Sequence, residues 1–203
     1  MTTEPRPTPI EYNMELAVQV ASRSNCLRSH VGALILFDGR IRAVGYNGTI
    51  EAYPDCFEGG CARCRDMTIK RGIALDRCVC VHGEENALVS AARFGIEVDG
   101  ADMFVTHEPC LSCTKLVIQA GIKNVVWLKR YEYLEDAGDQ EKSRDAMREH
   151  SRLRGMTTFK YVEELADAGK PRVRGIDTWT DRLDAMKKAA EDHARELGVL
   201  IEN

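Results

Sequence analysis

With 203 residues, 44% of them apolar, the chain is long and apolar enough for one globular domain with a buried core, plus an extra terminal element at most. A formal charge of −4 excludes a global electrostatic attraction to nucleic acid or to an anionic membrane, though not a local basic groove for single strands. The longest apolar run, Ala33 to Phe37, is far too short to cross a bilayer.

The opening M-T-T-E-P-R-P-T-P-I has neither the cationic start nor the apolar stretch of a secretion signal, so a cytoplasmic location is expected. Residues 1–9 hold three of the six prolines and read as a loose arm. Apolar spacing predicts a helix from Ile10 to Arg23, through Met14, Leu16, Ala17, Val20 and Ala21. Val31 to Phe37, the turn pair Asp38-Gly39 and Ile41 to Tyr46 predict a β-hairpin. Thr49 to Asp76 is a long loop rich in Gly and Cys, of a length that needs a function or a staple inside a compact domain.

Further on, Glu84 to Phe94 reads as a helix closed by Gly95, and Met103 to Thr106 as a short strand. A helix from Cys110 to Ala120 stops at Gly121, followed by a strand over Asn124 to Leu128. Asp139 to Arg154 predicts a helix, Met156 to Val162 a last strand, and Asp177 to Leu197 a final charged helix. Strand and helix in alternation after a hairpin imply an α/β fold. We expect a three-layer α/β/α arrangement, with a mixed central sheet of about five strands and helices on both faces. The expected divisions are the arm 1–9, one domain over 10–169 and a helical extension over 170–203.

All eight cysteines lie in the first 113 residues. In a reducing compartment, clustered thiols with repeated C-x-x-C spacing point to metal ligation rather than to disulfides. The densest stretch is C-V-C-V-H-G-E-E-N, from Cys78 to Asn86. Its His82-Gly83-Glu84 is followed by Pro109-Cys110-Leu111-Ser112-Cys113. One imidazole and two thiolates make three ligands for Zn²⁺ and leave one position open. Cys110 and Cys113, three apart at a helix start, fall on one face, where the positive end of the helix favours thiolate. Glu84 is then free to take a proton from the attacking water and return it to a leaving nitrogen. The H-x-E…P-C-x-x-C pattern is the signature of zinc-dependent nucleobase deaminases. The plain alternative is a structural zinc knuckle, which would fill all four positions and have no use for Glu84.

From about Glu11 to Val162 the chain resembles the deoxycytidylate deaminases of the cytidine deaminase-like superfamily. The resemblance is carried by V-G-A at Val31–Ala33, G-Y-N-G at Gly45–Gly48, H-G-E-E-N-A at His82–Ala87, F-V-T at Phe104–Thr106 and Q-A-G-I-K at Gln119–Lys123. It implies a catalytic zinc on His82, Cys110 and Cys113, Glu84 as proton shuttle, and hydrolysis of dCMP to dUMP with release of ammonia. Asn47 would bond the deoxyribose, the backbone at Gly83 and Thr106 would read the ring, and Asn86 would lie near the substrate or a neighbouring subunit. Arg23 and Ser24 align with the family's R-S pair and are candidates for the 5′-phosphate; Tyr131 is a further substrate contact. The plain readings are an exposed helix-end charge for Arg23 and a packed aromatic for Tyr131.

Some members of the family carry a second, structural zinc. The matching positions here are Cys26, Cys56 and Cys80, with Cys61 as the expected fourth ligand and Cys64 as its substitute; the thiols left over would be buried or free. The resemblance also implies a nucleotide substrate, dCTP and dTTP as candidate effectors and a homo-oligomer, hexamer or dimer. Neither a membrane nor nucleic acid is an expected partner. Gly83 departs from the family's usual Ala, which would loosen the turn or admit a bulkier ring substituent. Within the enzyme class, dCTP, a 5-substituted dCMP or a tRNA base is the alternative substrate. Outside it, the alternative is a non-catalytic zinc-binding member of the fold.

Overall fold

Thr8 starts the first helix. Its hydroxyl accepts a hydrogen bond from the Glu11 N–H (3.3 Å), and the Glu11 carboxylate accepts one from the Thr8 N–H (2.7 Å). This reciprocal cap, with proline at the first helical position, sets α1 at Pro9–Ala21. It draws Thr8 and Pro9 out of the expected arm, and the helix stops two residues short of Arg23. The computed structural model describes residues 6–130, 148–149, 151–153, 155, 158–161 and 176–199.

The hairpin follows as β1 (Gly32–Phe37) and β2 (Arg40–Tyr46), with a register shift between Ile35 and Leu36. Asp38 and Gly39 both take positive φ (50° and 69°), as a twist-matched two-residue turn requires. The long loop has more structure than its composition predicts. β3 (Gly48–Thr49) pairs with β4 (Cys80–Val81) across it, and it carries 3₁₀ turns at Cys56–Glu58 and Leu75–Arg77 and the short α2 (Ala62–Arg65). Then come α3 (Gly83–Arg93), β5 (Asp102–His107), α4 (Leu111–Gln119), β6 (Asn124–Lys129), β7 (Thr158–Tyr161) and α5 (Ile176–Glu196). Of the helix expected over 139–154, residues 148–149 and 151–153 are described and helical, and the rest lies outside the described residues.

The main sheet has the order β2-β1-β5-β6-β7, with β1 antiparallel to both neighbours and β5, β6 and β7 parallel. It is the mixed five-stranded sheet that the sequence predicts. Alternation along β1, β5 and β6 builds two separate cores. Ala33, Ile35, Met103, Val105, Val125 and Trp127 pack against Ala87, Ala91 and Val117 of α3 and α4. Leu34, Leu36, Phe104, Val126 and Leu128 pack on the other face against Met14 and Val18 of α1 and Trp179 and Leu183 of α5. Among the described residues no helix is long and apolar enough to cross a membrane.

Helix α5 belongs to this packing. Trp179 is 4% exposed, and its indole N–H donates to the Glu15 carboxylate, which also pairs with Arg182. Truncating such an anchor removes its burial and leaves a cavity. Trp179→Ala is therefore expected to lower the unfolding free energy by about 3 kcal/mol in urea denaturation, with faster amide exchange along α5.

Candidate active site

Two helices begin face to face at one end of the sheet. His82 caps α3 immediately after β4, and Cys110 caps α4 three residues past the end of β5. The turn after β5 is tied down by the Glu108 N–H, which donates to the Lys129 carbonyl at the end of β6 (2.7 Å). The His82 Nδ1 consequently lies 3.5 Å from Cys110 Sγ and 3.3 Å from Cys113 Sγ. A tetrahedral zinc with arms of about 2.1 Å to nitrogen and 2.3 Å to sulfur would hold such donors roughly 3.6 Å apart. The three donor atoms all lie within 4.8 Å of one another, so residue type and spacing both fit the metal.

The charges around this trio agree. The Cys110 thiol is pulled down to about 4, first by its hydrogen bond with Cys113 and then by His82. His82 is raised to about 9, chiefly by its bond to Cys110. Thiolate at Cys110 is the form a metal needs, and a cation arriving there would displace the proton from the imidazole. Glu84 is 4% exposed, and burial pushes its carboxyl up to about 7, partly offset by the charge on His82. A carboxyl held near neutrality beside three metal donors is poised to move protons in both directions.

Above this floor opens a cavity of about 450 Å³ lined by Asn47, His82, Glu84 and Cys110 and rimmed by cations. Arg28 comes from the segment before β1, Arg71 from the long loop, Lys129 and Arg130 from the end of β6, and Lys187 from α5, with the imidazole of His30 beside Arg28. α5 also contributes Leu183 and Asp184, and Asp184 pairs with Lys129 at 2.7 Å. His30 is buried, and burial lowers its pKa, partly offset by Cys26 and by the Ala21 backbone. Burial, together with the charges of Arg71, Lys129 and His30, holds the cavity-lining His107 down at about 3. The sequence reading passed over Arg28, His30, Arg71 and His107; the R-S-H run just before V-G-A was the available signal.

The residues expected to touch substrate are placed unevenly. Asn47 lines the cavity, yet most of its amide is already used. Its Oδ1 accepts from the Ser24 hydroxyl (2.8 Å) and the Val31 N–H (2.7 Å), and its Nδ2 donates to the Ser29 carbonyl (2.7 Å). One N–H remains for a ligand. Asn47→Ala would strand one buried and two partly buried polar partners, at about 1–3 kcal/mol for the buried one and less for the others, so a loss of a few kcal/mol in denaturant titrations is expected, beyond any effect on binding. Ser24 is buried and supports Asn47 rather than lining the cavity. Arg23 is exposed outside the cavity with its guanidinium 6.0 Å from the Tyr46 ring, because α1 ends before it.

Asn86 donates to the Tyr46 carbonyl (2.6 Å) and so ties α3 to β2. The buried Thr106 accepts from the Gly32 N–H (3.1 Å) with its hydroxyl. A methyl group at Gly83 would meet Val31 Cγ1 and the Val31 carbonyl oxygen at 3.1 Å, so the glycine here relieves packing against β1's approach rather than enlarging a ring pocket. Tyr131 lies outside the described residues.

A second thiol site sits beside the cavity. The sulfurs of Cys26, Cys56, Cys64 and Cys80 all lie within 4.8 Å of one another, and those of Cys61, Cys64, Cys78 and Cys80 do the same. The structure thus groups Cys64, rather than Cys61, with Cys26, Cys56 and Cys80. Both thiols are buried; Cys61, at the cap of α2, falls in the second group, and Cys64, one helical turn on, reaches both.

An α/β/α sheet whose facing helix starts join His-Cys-Cys beside a buried carboxylate defines the cytidine deaminase-like class. The family model for the cytidine and deoxycytidylate deaminase zinc-binding region matches residues 7–129, and the chain belongs to that family. It is 40% identical over 132 residues to the deoxycytidylate deaminase of Saccharomyces cerevisiae, covering 65% of this chain and 41% of that protein. It is 38% identical to the deoxycytidylate deaminase of Mycobacterium phage D29, covering 61% of this chain and 97% of that one. The chain spans about two fifths of the length of the two yeast enzymes it matches, 41% and 38%. Among solved structures it is similar to the dCMP deaminase of cyanophage S-TIM5 in complex with dCMP and dUMP, at 28% identity and a TM-score of 0.56 over 78% of this chain and 99% of that one.

Proposed function

We propose that this chain hydrolyses dCMP to dUMP and ammonia, with zinc held by His82, Cys110 and Cys113 and Glu84 moving the protons. The observation that carries this reading is the buried Glu84 carboxyl beside a His-Cys-Cys donor set at the floor of a cation-rimmed cavity. Zinc supplies activation of water and stabilisation of developing negative charge. The residues of the chain do the rest. Glu84 takes one proton from the attacking water as the C4–O bond forms and delivers it to ring N3; it then takes the second proton from the new C4 hydroxyl and gives it to the amine as the C4–N bond breaks, leaving the C4 carbonyl and ammonia. Asn47 offers its remaining N–H to the sugar. Arg71 and Lys129 supply the positive charge that a 5′-phosphate needs, and His30, whose burial favours the neutral imidazole, offers a ring N–H beside them.

The domain over 10–169 carries this chemistry, and the extension over 170–203 walls the cavity through Leu183, Asp184 and Lys187. A structural zinc on Cys26, Cys56, Cys64 and Cys80 staples the long loop to the sheet, since metal binding contributes directly to folding. Eight cysteines free of disulfides suit a reducing, cytoplasmic setting. Edge strand β2 leaves Ile41, Val44 and Tyr46 exposed, which supports a homo-oligomer; dCTP and dTTP are its candidate effectors.

The test is ammonia release with dCMP, deoxycytidine, dCTP and 5-methyl-dCMP in parallel. dCMP should turn over fastest, with deoxycytidine poor for want of the phosphate. No turnover of any of the four by zinc-loaded protein would overturn the reading.

A further inference from the structure

Six thiols converge where a single structural zinc uses four. Cys26 Sγ lies 3.9 Å from Cys64, Cys64 lies 3.6 Å from Cys78, and Cys78 lies 3.7 Å from Cys61. A tetrahedral ZnS₄ centre with arms of about 2.3 Å has sulfur–sulfur edges of roughly 3.8 Å, whereas a disulfide brings sulfurs to about 2.05 Å. The chain of contacts thus has the spacing of metal tetrahedra along its length. The six sulfurs resolve into two compact groups of four, and Cys64 and Cys80 are the members common to both.

We propose that this cluster is a binuclear site for two zinc-like divalent ions, with Cys64 and Cys80 as bridging thiolates. One ion takes Cys26 and Cys56 as its terminal ligands, and the other takes Cys61 and Cys78. Six thiolates can complete two four-sulfur shells only if two of them bridge, and the structure assigns which two. Six thiolates and two divalent cations leave a net charge of −2, and buried cations stand nearby. Arg28 lies within the electrostatic reach of Cys26 and Cys64, and Arg63 is 4% exposed. Backbone N–H groups of Leu27 and Arg28 point at Cys56 Sγ and Cys26 Sγ, each at 3.5 Å, as they do toward thiolates at metal centres.

The second ion would have its own task. Cys64 and Cys78 bound the loop 65–77, which brings Arg71, Gly72 and Leu75 to the cavity. Arg63, from α2 just before that loop, donates to the carbonyls of Lys70 and Ile73. An ion on Cys61, Cys64, Cys78 and Cys80 clamps both ends of that loop and so fixes the position of Arg71. The inference concerns metal content and holds whether or not the chain deaminates dCMP.

The test combines zinc analysis with cadmium NMR on reduced protein. By plasma mass spectrometry, the Cys61→Ser/Cys78→Ser double variant should carry one zinc fewer per chain than wild type, because Cys26, Cys56, Cys64 and Cys80 still complete the first shell. In ¹¹³Cd-loaded wild-type protein, the β-protons of Cys64 and Cys80 should couple to two cadmium ions each, and those of the other four cysteines to one. Equal zinc content in the two proteins would overturn the proposal. So would spectra in which no cysteine couples to more than one cadmium, and this arm needs no variant to fold.

Discussion

Replacing Glu84 by glutamine should lower kcat for dCMP by about 10²–10⁴-fold, the usual worth of a positioned proton-transfer group, while zinc content stays at the wild-type level. Gln has the shape of Glu and keeps a carbonyl oxygen for hydrogen bonding, so the pocket should not collapse. It cannot take or return a proton. The stability of the variant should equal or exceed that of wild type, because burial is the first cause of the raised Glu84 carboxyl and the amide carries no charge to desolvate. Activity lost and stability kept is the signature of a group retained for chemistry. Ammonia release, zinc analysis and thermal melts on the same preparation separate the outcomes. Loss of zinc together with activity would instead make Glu84 a metal-site support, and unchanged kcat would remove it from the mechanism altogether.

The three donors that the structure brings together, His82, Cys110 and Cys113, come from two segments, yet their grouping was legible because each segment is short and its chemistry local. H-x-E and C-x-x-C both sit at helix starts, where spacing alone decides which side chains share a face. The hairpin was legible for a similar reason, since Asp38-Gly39 supplies the two positive φ values its turn demands. The cationic rim was not. Arg28, Arg71, Lys129 and Lys187 reach one cavity from four segments that no periodicity links, and only the packing of the sheet and α5 brings them together.

Arg23 illustrates the converse. The R-S pattern aligned well, but α1 ends at Ala21 and leaves the guanidinium 6.0 Å from the Tyr46 ring, outside the cavity. The expectation of Cys61 over Cys64 as the fourth ligand, where the structure groups Cys64 with Cys26, Cys56 and Cys80, has a related cause. The grouping depends on a single turn of helix, α2, too short to leave a periodic trace in a Gly- and Cys-rich loop. β3 and β4 escaped notice because two-residue strands carry no alternation to read.

Gly45→Ala should be the most damaging change of a single methyl group near the site. The added Cβ would fall 2.2 Å from the Gly83 carbonyl oxygen, 2.3 Å from the Ala87 nitrogen and 2.9 Å from Ala87 Cα. All three are backbone atoms of α3, so no side chain can swing aside, and strand β2 and the helix must part. Overpacking of this kind costs about 1–3 kcal/mol or more in stability. The functional cost should be larger, because α3 carries Glu84 in its first turn and His82 at its cap, while Cys110 and Cys113 ride on α4. A displacement of roughly 1 Å between reacting groups can cost about 100-fold in rate.

Gly32→Ala is the matched control. Its Cβ would strike the Ala17 oxygen at 2.1 Å and the Ala21 nitrogen at 2.5 Å, on the opposite face of the sheet, where α1 packs. Both variants should unfold at lower urea concentration than wild type. Gly45→Ala alone should lose kcat and catalytic zinc out of proportion to its stability. Equal losses in the two variants would mean that the close seat of α3 on β2 serves the fold alone. A selective loss at Gly45 would show that the glycine of G-Y-N-G sets the distance between the two halves of the metal site without touching either.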